Sequence, residues 1–205
     1  MSDEFIVKDT PQFDRELPPA GDTLGVCFEV FNLGMQDTTF GAKPQAMIYF
    51  EIDVRYTVGD YKGKRMLIGT RPYTASLSAR ANLRKDLESW RGRSFTDEEL
   101  KGFNIKKVKG APAILTIVHN NGYADIAKNG IKRAVTLAPD GKTFIPIKTF
   151  ELETDPAYVP KRVLNLLEKK LVQENDDTDE VATKGFNKAA SAPTREPTKE
   201  ETEIF

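Results

Sequence analysis

Aromatic and cationic side chains interleave between residues 49 and 73: Tyr49, Arg55, Tyr56, Tyr61, Lys62, Lys64, Arg65, Arg71 and Tyr73. Cations neutralise phosphates and aromatic faces stack on unpaired bases, so this mixture has the chemistry of a surface for single-stranded polynucleotide. Phe40 and Lys43 repeat the pairing a few residues upstream. Lys106, Lys107 and Lys109 either extend a phosphate path or solvate a loop. Among the rings, Phe40, Tyr49 and Tyr61 are the stacking candidates. Tyr56 continues an inward-facing series and reads as core, and Tyr73 divides evenly between core and stacking.

Charge distribution agrees. The formal net charge is only −1, but Arg55 to Arg133 holds 17 Lys/Arg against 7 Asp/Glu, a net of +10. Residues 174–205 hold nine acidic and four basic residues, a net of −5. A basic middle and an acidic end on one chain point to a polyanionic ligand and a separate task for the tail.

Catalysis has weaker support. Neither a phosphate-binding G-x-x-x-x-G-K-[ST] loop nor a G-x-S-x-G elbow occurs. Cys27 is the single cysteine and reads as a small buried hydrophobe; His119 is the single histidine and reads as structural or surface. Glu51 and Asp53 share one strand face and are the one pair suited to a Mg²⁺-dependent nuclease, although the solvated side of a sheet explains them equally simply. The expectation is a protein that is not an enzyme and needs no cofactor.

The elements that must position these residues are short strands. Val26, Phe28 and Val30 alternate with Cys27, Glu29 and Phe31 from about Leu24 onward, and Leu33 to Gln45 reads as a long connection. A second strand places Ile48, Phe50, Ile52 and Val54 on a core face and Tyr49, Glu51, Asp53 and Arg55 on a polar, wet face. Gly59 to Gly63 turns the chain into a third strand, Lys64–Thr70. Leu83, Leu87 and Trp90 then form the stripe of a helix capped by Ser76 or Ser78 and stopped at Gly92. Thr96 and Glu99 have capping-box spacing. Ala113–His119 is apolar on both faces and reads as a strand buried on both, and Asn120-Asn121-Gly122 turns it into the next. Thr143 to Leu152 adds a short extended segment. Pro160 opens a final helix with a stripe of Val163, Leu164, Leu167 and Leu171.

This β-β-β-α-β-β order predicts a mainly β fold: a five-stranded OB-fold barrel with a helix between strands 3 and 4. The expected organisation is an irregular lead-in (1–23), the OB-fold domain (24–153), a C-terminal helix (154–173) and a disordered acidic tail (174–205).

Two resemblances sharpen the expectation. The stretch YTASLSARANLRKDLESWRGRSFTDEEL (73–100), with KVKGAPAILTIVH and GYADI after it, resembles the helix-and-fourth-strand region of bacteriophage OB-fold single-stranded DNA-binding proteins. The ending EETEIF resembles the acidic tip of bacterial single-stranded-DNA-binding proteins, although Ile204 stands where those tips carry proline. The resemblance implies single-stranded DNA binding in replication or recombination, with Glu203, Ile204 and Phe205 docking partner proteins. The sequence leaves open a homo-oligomer or cooperative assembly on DNA. A protein-interaction scaffold is the alternative. The acidic N-terminus and the lack of a long apolar stretch predict a cytoplasmic protein with no membrane contact, here the host bacterial cytoplasm.

Overall fold

The computed structural model describes residues 16–176. Their backbone is mainly β. Three strands lead: β1 (Gly21–Gln36), β2 (Lys43–Arg55) and β3 (Arg65–Gly69), followed by a two-residue strand β4 (Tyr73–Thr74). Helices α1 (Asn82–Arg91) and α2 (Asp97–Lys101) and a 3₁₀ turn (Ile105–Val108) precede β5 (Pro112–Asn120) and β6 (Tyr123–Arg133). A small ribbon, β7 (Val135–Leu137) and β8 (Phe144–Pro146), leads to helix α3 (Lys161–Asp176). The main sheet is antiparallel in the order β3-β2-β1-β5-β6, with β4 also paired to β2. The expected barrel closure is not made by hydrogen bonds. β3 and β6 come near each other without a ladder, and an Arg71–Asp125 ion pair of 3.2 Å spans that side instead.

Several sequence expectations change in detail. The long connection at 33–45 is mostly strand, because the β1–β2 ladder continues to Gln36↔Lys43; a register shift between Asn32 and Gly34 absorbs the glycine. Simple alternation in β1 also fails. A bulge between Cys27 and Glu29 turns Cys27 and Val30 toward one apolar cluster and Phe28 toward another. Helix α1 begins after Ala81, not at Ser76 or Ser78, and Ala81 gives no side-chain cap. Ser76 Oγ instead accepts the Ser78 N–H inside the preceding turn. Its C-terminus is as expected: Gly92 is left-handed at φ 68° and donates to Glu88 O. Thr96 and Glu99 complete both bonds of the capping box. Asn121 and Gly122, both at positive φ, form the two-residue turn between β5 and β6.

The core lies on both sides of β2. On the inner side Ile48, Phe50 and Ile52 pack with Leu83, Leu87 and Trp90 of α1 and with Ala113, Leu115 and Ile117 of β5. Trp90 Nε1–H donates to Pro112 O at 2.7 Å, which satisfies its polar edge. Only that face of β5 is fully buried; Ile114, Thr116 and Val118 remain partly exposed. On the outer side Phe28, Leu33, Met47 and Tyr49 pack beneath Leu152, Val159, Val163, Leu166 and Leu167. The expected helical stripe therefore rotates. Val163, Leu166 and Leu167 share a face at i, i+3 and i+4, while Leu164 lies 43% exposed. The side chain of Leu171 lies outside the described residues.

Candidate nucleic-acid interface

The outer face of β2 was expected to be wet, and half of it is not. Tyr49 is 6% exposed, edge-on to Phe31 with ring centroids 5.7 Å apart. Its ring sits where a Cβ on Gly69 would stand, 2.5 Å from Tyr49 Cζ, so glycine is required on the neighbouring strand. Tyr49 thus presents no stacking surface. Tyr73 is also withdrawn: its ring packs on the inner cluster and its hydroxyl donates to Asp86 Oδ2 at 2.7 Å. Burial pushes both the Tyr73 phenol and the Asp86 carboxyl above their ordinary ranges. Tyr56 packs on the inner cluster as expected, with its ring 5.8 Å from that of Tyr61.

What covers this face is the segment 150–154, between β8 and α3. Glu51, fully buried, is the post that holds it. Its oxygens accept the Glu153 N–H (3.0 and 3.1 Å), the Thr154 N–H (2.8 Å) and the Thr154 hydroxyl (2.6 Å). Glu153 in turn reaches two of the expected DNA-binding arginines. Arg55 Nη1 and Nη2 donate to its two oxygens at 2.8 and 2.5 Å, and Arg65 Nη1 donates to Oε1 at 2.6 Å. The Arg55 guanidinium holds the Glu153 carboxyl below the usual carboxylate range. Arg65 also stacks on Phe150, its Cζ 4.1 Å from the ring centroid. The sequence reading missed Phe150, Glu153 and Thr154 because only the fold brings them to a strand 100 residues earlier.

Other expected residues divide by exposure and pairing. Phe40 is 82% exposed, with Lys43 Nζ 5.4 Å from its ring centroid. Tyr61 is 57% exposed, with Lys64 Nζ 5.9 Å from its ring centroid. Lys62 and Lys107 are exposed. Lys109 donates to Glu29 at 2.5 Å, and Arg71 is held by Asp125. Phe40 lies on the β1–β2 connection and Tyr61 on the β2–β3 hairpin, at opposite ends of a 13-residue strand, which corresponds to roughly 40 Å. Tyr123, 63% exposed at the start of β6, sits toward the same end as Tyr61, because Gly21↔Ile117 and Gly25↔Ile52 place both hairpins beyond the start of β1. An aromatic residue after an Asn-Gly turn was the sequence signal for it.

The carboxylates suggested for a metal do not converge. Glu51 is committed to the covering segment, and Asp53, 56% exposed, lies 3.5 Å from Arg65 Nε. No group of three His, Cys, Asp or Glu side chains placed to hold a metal occurs among the described residues. Cys27 is buried, with its thiol pushed up to about 12 by that burial. His119 lies exposed at a strand end, Nε2 2.8 Å from Pro18 O. No described helix is long and apolar enough to cross a membrane. Glu203, Ile204 and Phe205 lie outside the described residues. Comparison with protein-family models, curated proteins and solved structures finds no match to this chain.

Proposed function

We propose that this chain is an OB-fold protein that binds and protects single-stranded DNA without sequence preference, in bacteriophage DNA replication or recombination. The observation that carries the reading is the pair of exposed aromatic–lysine contacts, Phe40 with Lys43 and Tyr61 with Lys64, on the two loops that bound β2. Each offers a base a stacking face with a phosphate-neutralising cation beside it, which is the combination a single-strand binder uses. The strand order supports it as well. β3-β2-β1-β5-β6, with helices between β3 and β5, is the OB-fold order once β3 meets β6. In this reading the C-terminal tip, Glu203 to Phe205, recruits replication or recombination proteins, and the protein assembles cooperatively on the strand in the host cytoplasm.

A second reading rests on a different surface. The β7–β8 ribbon exposes Leu137 (52%), Phe144 (63%) and Ile145 (44%), the kind of apolar display a protein-interaction module carries. One experiment separates the two. Fluorescence anisotropy of labelled oligo(dT), at low and moderate salt with duplex as competitor, is expected to give tight binding that weakens steeply with salt and resists the duplex. Absence of binding at low salt overturns the DNA reading in favour of the interaction module. Cleavage of the oligonucleotide with Mg²⁺, abolished by Asp53→Ala, would instead establish the nuclease.

A further inference from the structure

The basic face expected to take DNA already holds an anion of the chain's own. Glu153 places one carboxylate across two guanidiniums, in a two-pronged contact with Arg55 and a third bond from Arg65. That is also how arginine forks grip a phosphodiester: planar donors against two oxygens bearing one negative charge. We propose that Arg55 and Arg65 form a phosphodiester subsite for single-stranded DNA, and that Glu153 is its built-in competitor, displaced when a strand binds. The proposal rests on the single-strand reading above and adds the place where the backbone is gripped and the group that guards it.

Two features make the exchange local. First, the clasp is wet: the Arg55 and Glu153 side chains are 45% and 41% exposed, and exposed ion pairs of this kind are weak and screened by salt. Second, the segment does not depend on Glu153 for its position. Glu51, wholly buried, holds the Glu153 and Thr154 backbone by three N–H contacts and the Thr154 hydroxyl, and Leu152 packs against the outer apolar cluster. The carboxylate therefore rotates off the arginines while its backbone stays pinned. Arg65 is prepared for a strand in another respect, since it is 13% exposed and already stacked on Phe150. It loses little side-chain freedom on taking a phosphate.

The test uses the full chain and oligo(dT). Glu153→Gln keeps the size of the side chain and removes its charge, so affinity at low salt should rise about two- to fivefold, the scale of an exposed pair. The fall of log K with log salt should steepen by roughly 0.7 for each arginine released to a phosphate. Glu151→Gln removes the same charge from the same segment, but only the backbone carbonyl of Glu151 meets Arg65, so its gain should be smaller. Arg55→Gln should cost more affinity in the Glu153→Gln background than in wild type, since the freed guanidinium then carries a phosphate. Thermal melting checks that each variant is folded, and hydrogen exchange at Glu153 and Thr154 reads whether the segment itself stays in place. Equal gains for Glu151→Gln and Glu153→Gln, or additive costs in the cycle, overturn the competitor while leaving single-strand binding intact. No binding by wild type or variants overturns the single-strand reading, and this subsite with it.

Discussion

The two sides of β2 carry the same alternating backbone and end in opposite situations. Inward, Ile48, Phe50 and Ile52 meet α1 and β5 and are all but inaccessible. Outward, exposure grades along the strand: Tyr49 and Glu51 lie buried beneath the covering segment and α3, while Asp53 and Arg55 emerge from it. The inner side is held by close-packed apolar surface, and its stability follows from area and fit. The outer side joins a smaller apolar cluster to one buried carboxylate with four contacts to it, so it rests in part on hydrogen-bond satisfaction. A face with such a post is expected to open at that carboxylate without the inner side giving way.

Phe50→Ala should have the largest effect, because it deletes a fully buried ring 5.2 Å from that of Trp90. A loss of about 3–5 kcal/mol in urea denaturation is expected, with a shift in Trp90 emission. Glu51→Gln should cost less, about 1–3 kcal/mol, since an amide keeps one acceptor oxygen and turns an NH₂ toward donors. Its signature should be spatial: exchange protection at Glu153 and Thr154 falls while β5 and α1 keep theirs. If Glu51→Gln loosens both sides equally, the two faces form one cooperative core and the contrast fails.

How much of this could be read beforehand follows the same division. The inner face of β2, the stripe of Leu83, Leu87 and Trp90, the Gly92 stop and the Asn121-Gly122 turn all rest on residues within one element or one turn, where periodicity and turn chemistry act directly. The covered outer face was not legible, because its partners at 150–167 lie about 100 residues along the chain and no local pattern reports them. Tyr49 was misread for that reason. The ladder over 33–45 was misread because Gly34 and Pro44 resemble a loop until a bulge accommodates the glycine. Of the site, the exposed contacts Phe40–Lys43 and Tyr61–Lys64 were legible as types. The arginines were legible as cations but not as cations already occupied.

The exposed rings sharpen the contrast from the functional side. Tyr61→Ala and Phe40→Ala should each weaken oligo(dT) binding by about 1–3 kcal/mol, with melting unchanged within about 0.5 kcal/mol. Tyr49→Phe, on a ring sealed under the covering segment, should leave affinity unaltered. A comparable loss from Tyr49→Phe would mean that the Tyr49 hydroxyl itself reaches the strand, which requires this segment to leave the sheet when DNA binds.

Two buried carboxylates give the smallest and most discriminating comparison. Glu51 has donors on both oxygens, whereas Asp86, 6% exposed, has the Tyr73 hydroxyl on Oδ2 and no hydrogen-bond partner on Oδ1. Burial raises the Asp86 pKa above the ordinary aspartate range, so the folded state holds its proton to higher pH than the unfolded chain does. Its favourable contribution is therefore complete below the unfolded pKa and is lost as pH rises through the folded one. Asp86→Asn keeps an acceptor for Tyr73 and carries no charge, so the variant should melt close to wild type at pH 4. At pH 7 it should be more stable than wild type by up to about 1 kcal/mol. Glu51→Gln should show the reverse order at pH 7, with the variant the less stable. A loss at pH 7 from both substitutions would mean that the Asp86 carboxylate is as well satisfied as that of Glu51, and that the inner side also relies on a charged post.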